Sequence, residues 1–445
     1  MPAMLGDLLG KSIPCDCGHV HVVTTRQCVV ARGAVRHTGS VASGLGWQGD
    51  VLLVADPDTF AAAGEAAEAS LRAAGLTVRR FLLDREPVAG PPEVERVRAA
   101  AGSTPALVAV GSGSVNDIVK SAATVLGRPY LAVGTALSMN GYTSAISALL
   151  DGGVKRTLTA TPPLAVVIDL DVCAAAPRAM TLAGLGDMLS KPFSEADWRL
   201  AAHMERGDNG GGYYCERPGA VLGGAFERML SDAAGIGRSE PEALESLADA
   251  ILLSGISMAM AGVSSPASGG EHLVSHYWDM MCYARGAHPY ALHGTQVGVA
   301  CCMVEPLHHR VQALRAGPLD LDACLRDWPG SEEDLERRVR ARHTSLPNDV
   351  VDGVLAEARK KWRPGDAQRQ RLERFSARKD EILAHVAAAL LPEGAIRDAL
   401  VRAGAPTRAD EVHPSLAGGL ERWGHVRDMR ARYTVFDLAA ETGVL

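Results

Sequence analysis

The sequence predicts an α/β nucleotide-binding half followed by an all-helical half. Three observations carry this reading. Short apolar runs alternate with helix-like stretches through the first half of the chain. A Gly–Ser turn joins one of those runs directly to a helix. From about Pro177 onward the strand-like runs disappear. The chain has 445 residues, a length that suits two domains. The expected division is an α/β dinucleotide-binding domain over 1–175 and an all-helical domain over 176–445.

The elements follow in order. VLLVA at 51–55 is a short apolar run ending at Asp56, and the Ala-rich stretch 60–74 suits a helix stopped by Gly75. Residues 77–83 predict a strand, 92–101 a helix and 106–110 a third apolar run. GSGS and a helical stretch, VNDIVKSAATVLG, come next. Residues 130–133 and 164–168 complete the strands. Short apolar strands alternating with helices imply a parallel sheet covered on both faces. Helices are expected over 179–203, 219–234, 241–262, 270–284, 294–315, 332–343, 348–361, 366–391 and 394–403, with a Gly-rich loop at 207–219.

Composition excludes several classes. Apolar residues at 47% and charged residues at 22% are ordinary for a globular protein. Net charge is −7, without the basic surplus of a general nucleic-acid binder. No apolar run is expected to span a bilayer, and the N-terminus lacks the pattern of a signal peptide. Nine cysteines in no regular framework point to the cytoplasm. The charged stretch 332–381 reads as a solvated helical face.

Two groups of residues carry chemistry. Gly111, Ser112, Gly113 and Ser114 lie between a strand and a helix, where bare backbone and a helix N-terminus can receive a pyrophosphate. The alternative is a tight turn that needs glycine for its conformation. Asp56, ending its strand, can accept the ribose hydroxyls of an adenosine or cap the next helix. The second group begins with Asp187 and Lys191, four apart and expected on one helix face. It continues with His272 and His276, again four apart, and His293 at the next helix start. A carboxylate with imidazoles from separate helices can hold a divalent metal and leave a position open for substrate. Cys15, Cys17, His19 and His21 also offer zinc-type donors. Their Cys-x-Cys spacing is tighter than the usual gap of about two to four residues, and no second pair follows. A reduced loop near a sheet edge is the reading preferred for them.

Taken together, GSGSVNDIVK, TALSMNGYTS, GVKRTLTATPPLAVVIDLDV, AGLGDMLSKPFSEADWRLA, GEHLVSHYWDM and LHGTQVGV resemble the sn-glycerol-1-phosphate dehydrogenases. The opening LLGKSIPCDCGHVH and the closing ARYTVFDLAAETGVL extend the resemblance essentially from end to end. In particular it is similar to the bacterial arabinose-operon group of the iron-containing alcohol dehydrogenase and dehydroquinate synthase-like proteins. The resemblance implies reduction of dihydroxyacetone phosphate to sn-glycerol 1-phosphate with NADH or NADPH and one divalent metal. Zinc is the first choice, with nickel or iron as alternatives. It implies Asp187, His272 and His293 as metal ligands, His276 facing substrate and Lys191 as a partner for substrate oxygen or phosphate. Gly111, Ser112, Gly113 and Asp117 match its pyrophosphate loop, Asp56 its ribose carboxylate, and Thr135 and Ser138 the loop beside the nicotinamide. A small phosphorylated ketone or polyol is the expected partner, in a cytoplasmic homo-oligomer such as a homodimer, without nucleic acid or membrane.

Two positions depart from the family pattern. Asn140, expected at the substrate, stands where Asp is usual, and Thr295 follows His293-Gly294 where Glu is common. Both bear on substrate preference and rate. Two other readings remain: a metal- and NAD-dependent sugar-phosphate cyclase of the dehydroquinate synthase type, and a non-catalytic binding protein on the same fold.

Overall fold

The computed structural model describes residues 3–151, 154–205 and 212–445. The strands are β1 (Ser12–Pro14), β2 (Val20–Val22), β3 (Gln27–Ala31), β4 (Asp50–Ala55), β5 (Thr77–Leu82), β6 (Ala106–Gly111), β7 (Tyr130–Gly134), β8 (Ile146–Asp151), β9 (Val154–Thr159) and β10 (Ala165–Asp169). Six of them form a parallel sheet in the order β3-β10-β7-β6-β4-β5. Every residue of β6, β7 and β10 is buried, as expected for strands covered on both faces. The two antiparallel hairpins, β1–β2 and β8–β9, and edge strand β3 were not expected from the sequence. After β10 the described residues form helices only, in agreement with the expectation from Pro177 on.

By contacts the chain forms two compact units. Unit 1 comprises residues 1–188, 216–264 and 402–405, and unit 2 comprises 189–215, 265–401 and 406–445. The core of unit 1 lies on the sheet, where Val51, Leu53, Val108, Val110, Leu131 and Val167 meet Val41, Ala67 and Leu71 from the covering helices.

Three expectations change. The single helix over 179–203 is two helices, Arg178–Leu189 and Lys191–Met204. Pro192 sits in the first turn of the second helix, where its missing N–H costs nothing, and it disfavours a continuous helix through the residues before it. Asp187 and Lys191 therefore lie on different helices rather than on one face of one. The stretch 219–234 is Glu216–Ala220, Gly223–Ser231 and Ala233–Gly237. Residues 207–211 of the expected Gly-rich loop lie outside the described residues, and 212–215 are loop. Finally, helix Pro241–Ala261 is, by length and composition, apolar enough to cross a membrane. In unit 1 it is a core helix: the most apolar 18-residue window within it is 89% buried.

Candidate nucleotide and metal site

In unit 1 the chain runs outward from β4 to β5 and then returns to the other side of β4 with β6. This reversal makes the carboxyl ends of β4 and β6 the switch point of the sheet, where open α/β folds bind nucleotides. The register pairs Val54 with Ala109, so Asp56 stands level with Gly111. Beyond β6, helix Gly113–Leu126 begins at once, with Ser112 as its N-cap residue. Gly113 and Ser114 are thus the first helical residues rather than part of a longer loop. The Ser112 side chain does not cap the helix; its hydroxyl lies 2.6 Å from that of Ser138. A Cβ on Gly113 would meet only the Met139 Cγ, at 3.6 Å, so its backbone faces open space. Bare N–H groups at the positive end of a helix fit a pyrophosphate.

Asp56 is buried and caps the following helix: Oδ1 accepts the amides of Asp58 and Thr59, each at 2.9 Å. Both sequence roles therefore stay compatible, because a single oxygen does the capping. Thr135 donates its N–H to the Gly111 carbonyl at 3.2 Å, which keeps the nicotinamide-loop candidates beside the glycine turn. Asp117 is placed differently: its Oδ2 accepts the Ala148 amide at 3.2 Å and so supports β8.

The segment 135–144 is clamped. A Cβ on Gly184 would fall 1.8 Å from the Leu137 carbonyl oxygen, and one on Gly255 would fall 2.2 Å from Thr143 Oγ1. Both neighbouring helices therefore approach the segment at a glycine. Lys120, fully buried, donates to the Gly141 and Ile146 carbonyls and to the Ser144 hydroxyl, and burial pushes its ammonium pKa down to about 8. The clamp fixes Asn140. Its backbone N–H donates to Asp187 Oδ2 at 3.1 Å, and its side-chain amide donates to Ser254 at 3.1 Å. The buried Asp187 carboxylate is thus held by the loop.

Unit 2 gathers the imidazoles. His272 and His276 share helix Gly270–Tyr283, and His293 opens helix His293–Gln312. Ring centroids lie 5.3 Å apart for His272 and His293, 5.2 Å for His276 and His293, and 6.1 Å for His272 and His276. His272 Nδ1 lies 2.8 Å from Glu271 Oε1, which also accepts from Ser194 and from the Gly269 amide, each at 2.8 Å. Burial raises the Glu271 pKa, but the hydrogen bonds, led by that from His272, outweigh it and hold the carboxyl below its usual value. His293 Nδ1 lies 2.9 Å from the Ser275 hydroxyl. Both rings are thus engaged at Nδ1; the Glu271 carboxylate only accepts, so His272 carries a proton on Nδ1, as a histidine that ligates through Nε2 does.

The start of the first helix is set by Asp197, which accepts the amides of Gly270 at 2.7 Å and Val435 at 2.8 Å. A Cβ on Gly269 would fall 2.8 Å from that carboxylate, and one on Gly270 3.0 Å from the Phe436 ring. Lys191 is buried, and its ammonium donates to the Ser190 hydroxyl and the Ala267 carbonyl. Thr295 closes the first turn after Leu292 through its amide. Sequence reasoning missed Glu271, Ser275, Asp197 and Lys120. The acid immediately before His272 was the one available signal, because a carboxylate beside a ligand histidine is a common partner.

A chain of glycerol-1-phosphate dehydrogenase [NAD(P)+] from Halalkalibacterium halodurans is 32% identical over 300 residues, covering 66% of this chain and 73% of the relative. The protein of the same name from Geobacillus thermodenitrificans is 30% identical over 402 residues, covering 84% of this chain and 97% of the relative. This chain belongs to the glycerol-1-phosphate dehydrogenase family. The family profile of iron-containing alcohol dehydrogenases matches residues 29–177. An iron-containing alcohol dehydrogenase from Thermotoga maritima shares the fold at a TM-score of 0.54 and 14% identity, covering 95% of this chain and 99% of that one. Membership of this oxidoreductase family bears out the enzyme class read from the sequence. The cyclase and non-catalytic readings are not favoured.

Proposed function

We propose that this chain interconverts dihydroxyacetone phosphate and sn-glycerol 1-phosphate with NADH or NADPH and a divalent metal. The observation that carries the reading is the gathering of the His272, His276 and His293 rings, with centroids 5.2–6.1 Å apart and His272 held through Nδ1 by the Glu271 carboxylate. Asp187, oriented by the Asn140 amide, completes the ligand set by family resemblance. When bound, the ion supplies Lewis acidity toward a ketone oxygen and the reduced nicotinamide supplies hydride.

The chain's own groups do the rest. Gly111, Ser112 and Gly113 receive the pyrophosphate, Asp56 Oδ2 accepts from the ribose, and Thr135 and Ser138 border the nicotinamide. His276 passes a proton to the developing alkoxide. Lys191 steadies the wall that faces a substrate oxygen or phosphate. No disulfide joins any of the nine cysteines, which suits a reducing compartment; the setting proposed is the cytoplasm, and the assembly proposed from the family resemblance is a homo-oligomer. Zinc is the metal proposed first, ahead of nickel and iron. The test follows cofactor absorbance with dihydroxyacetone phosphate, NADH or NADPH, and each metal in turn. Turnover that depends on added metal is expected; no turnover in any combination sinks the reading.

A further inference from the structure

The β1–β2 hairpin carries a second set of metal-type donors in unit 1, remote in sequence from His272 and His293. The turn Cys15–Gly18 is closed by the Gly18 amide on the Cys15 carbonyl at 3.0 Å, with Gly18 at φ 85, a conformation that favours glycine. It presents Cys15 and Cys17 on one side, and β2 brings His21 to them. The two sulfurs and a His21 ring nitrogen all lie within 4.8 Å of one another.

His21 is the informative residue. It is buried at 1% exposure, and its Nδ1 lies 2.7 Å from the Met260 carbonyl. A carbonyl can only accept, so Nδ1 carries the proton and Nε2 presents its lone pair. That Nε2 lies 3.6 Å from Cys17 Sγ. Zinc–sulfur and zinc–nitrogen bonds of about 2.3 and 2.05 Å at a tetrahedral angle place the two donors about 3.6 Å apart. The backbone carbonyl on Nδ1 is the usual outer partner of a ligating histidine. A tetrahedral ion needs a fourth donor, and the chain supplies one by connectivity. Cys215 immediately precedes Glu216, and Arg217 donates to the carbonyl of Pro14, the neighbour of Cys15, at 3.3 Å. The distant cysteine supplies what the sequence reading found missing after Cys-x-Cys.

We propose that Cys15, Cys17 and His21, with Cys215 as fourth donor, form a closed structural site for zinc. A site with four protein ligands has no open position for substrate, so its role is to staple the hairpin. Through His21 and Met260 the staple ends on helix Pro241–Ala261, the helix whose Ser254 and Gly255 hold the Asn140 loop.

Cobalt(II) is the probe. Thiolate ligands give a sulfur-to-cobalt charge-transfer band that a carboxylate and imidazoles cannot give. The full-length protein loaded with cobalt should show this band, and so should the His272→Ala/His293→Ala variant. Cys15→Ser/Cys17→Ser should lose the band and, as purified, about one zinc ion per chain. Where that variant does not fold, Cys17→Ser and Cys215→Ser singly should each shift or weaken the band. No band in the wild type, or a band and zinc content untouched by these substitutions, overturns the proposal. Failure of the catalytic reading shows separately, as absent turnover in a chain that keeps the band.

Discussion

Glu271 determines what His272 can do, although it faces no ligand itself. Its carboxylate accepts from the ring, from Ser194 and from the Gly269 amide, so it stays charged in a fully buried position. Glu271→Gln keeps the shape and removes the charge. Metal affinity should fall roughly 10- to 100-fold, the usual cost of losing such a partner. Titration with zinc, alongside turnover at saturating metal, checks this; unchanged affinity would show that His272 is not a ligand. Asn140 poses a different question. Its amide donates to Ser254, and an Asp there would keep the contact with the serine as donor. A substrate hydroxyl bonded to a charged acceptor gains about 1.5–3 kcal/mol against about 1 for a neutral one. Asn140→Asp should therefore raise kcat/KM for dihydroxyacetone phosphate by roughly one order of magnitude. No change would mean that the side chain does not reach substrate. At this scale the sequence showed the donors and hid their supports. His272, His276 and His293 stand out by spacing, whereas Ser194, Asp197 and Ser275 acquire their roles only through contacts far along the chain.

Elements, rather than single side chains, hold the segment 135–144. Glycines at 184 and 255 let two helices touch its backbone, and Lys120 ties it from beneath. Gly255→Ala would put a methyl 2.2 Å from Thr143 Oγ1 and 2.9 Å from the Asn140 carbonyl oxygen. Neither the loop nor the helix has slack, so about 1–3 kcal/mol of stability should be lost. Metal affinity should fall with it, as the Asn140 amide leaves Asp187. Denaturation and metal titration measure the two, and an alanine variant with wild-type values for both would refute the clamp. Lys120 gives the same loop a pH signature. Its pKa is about 8 folded against 10.5 as the ordinary value. Between those values the unfolded chain binds more protons, so stability rises with pH across that window. Lys120→Met should flatten the rise in denaturation curves taken from pH 8 to 10.5; an unchanged slope would assign the rise to other groups. The sheet strands were legible because fully buried parallel strands read as unbroken apolar runs. The β8–β9 hairpin was not, although Asp151-Gly152-Gly153 is a hairpin signal in the sequence. Half-exposed β8 lacks the continuous apolar pattern that marked the others.

For the whole molecule, chain order and contacts divide the protein differently. The sequence separates strands from helices near residue 175, whereas contacts group the helices of 216–264 with the sheet. Periodicity shows what an element is, not which unit it packs in. The nucleotide reading places the cofactor in the sheet-bearing unit, and global stability can test that placement. A ligand at about a hundred times its Kd stabilises the folded state by about 2.7 kcal/mol. NADH at that excess should raise the melting temperature of the wild type. Gly113→Val adds a side chain whose Cβ meets only Met139, so the protein itself should fold normally. The branched methyls would stand where the pyrophosphate approaches the helix start. This variant should lose the NADH shift yet keep the shift produced by zinc. Asp56→Ser is the companion, because serine also caps helices and should leave the Asp58 and Thr59 amides satisfied. Removing the carboxylate removes its repulsion of a 2′-phosphate, so the larger shift should pass from NADH to NADPH. A Gly113→Val protein that still responds to NADH would place the nucleotide away from the β4–β6 switch point. A wild type that responds more strongly to NADPH would instead leave Asp56 as a helix cap alone, with Arg85, paired to Asp58 at the same corner, as the cation that receives the phosphate.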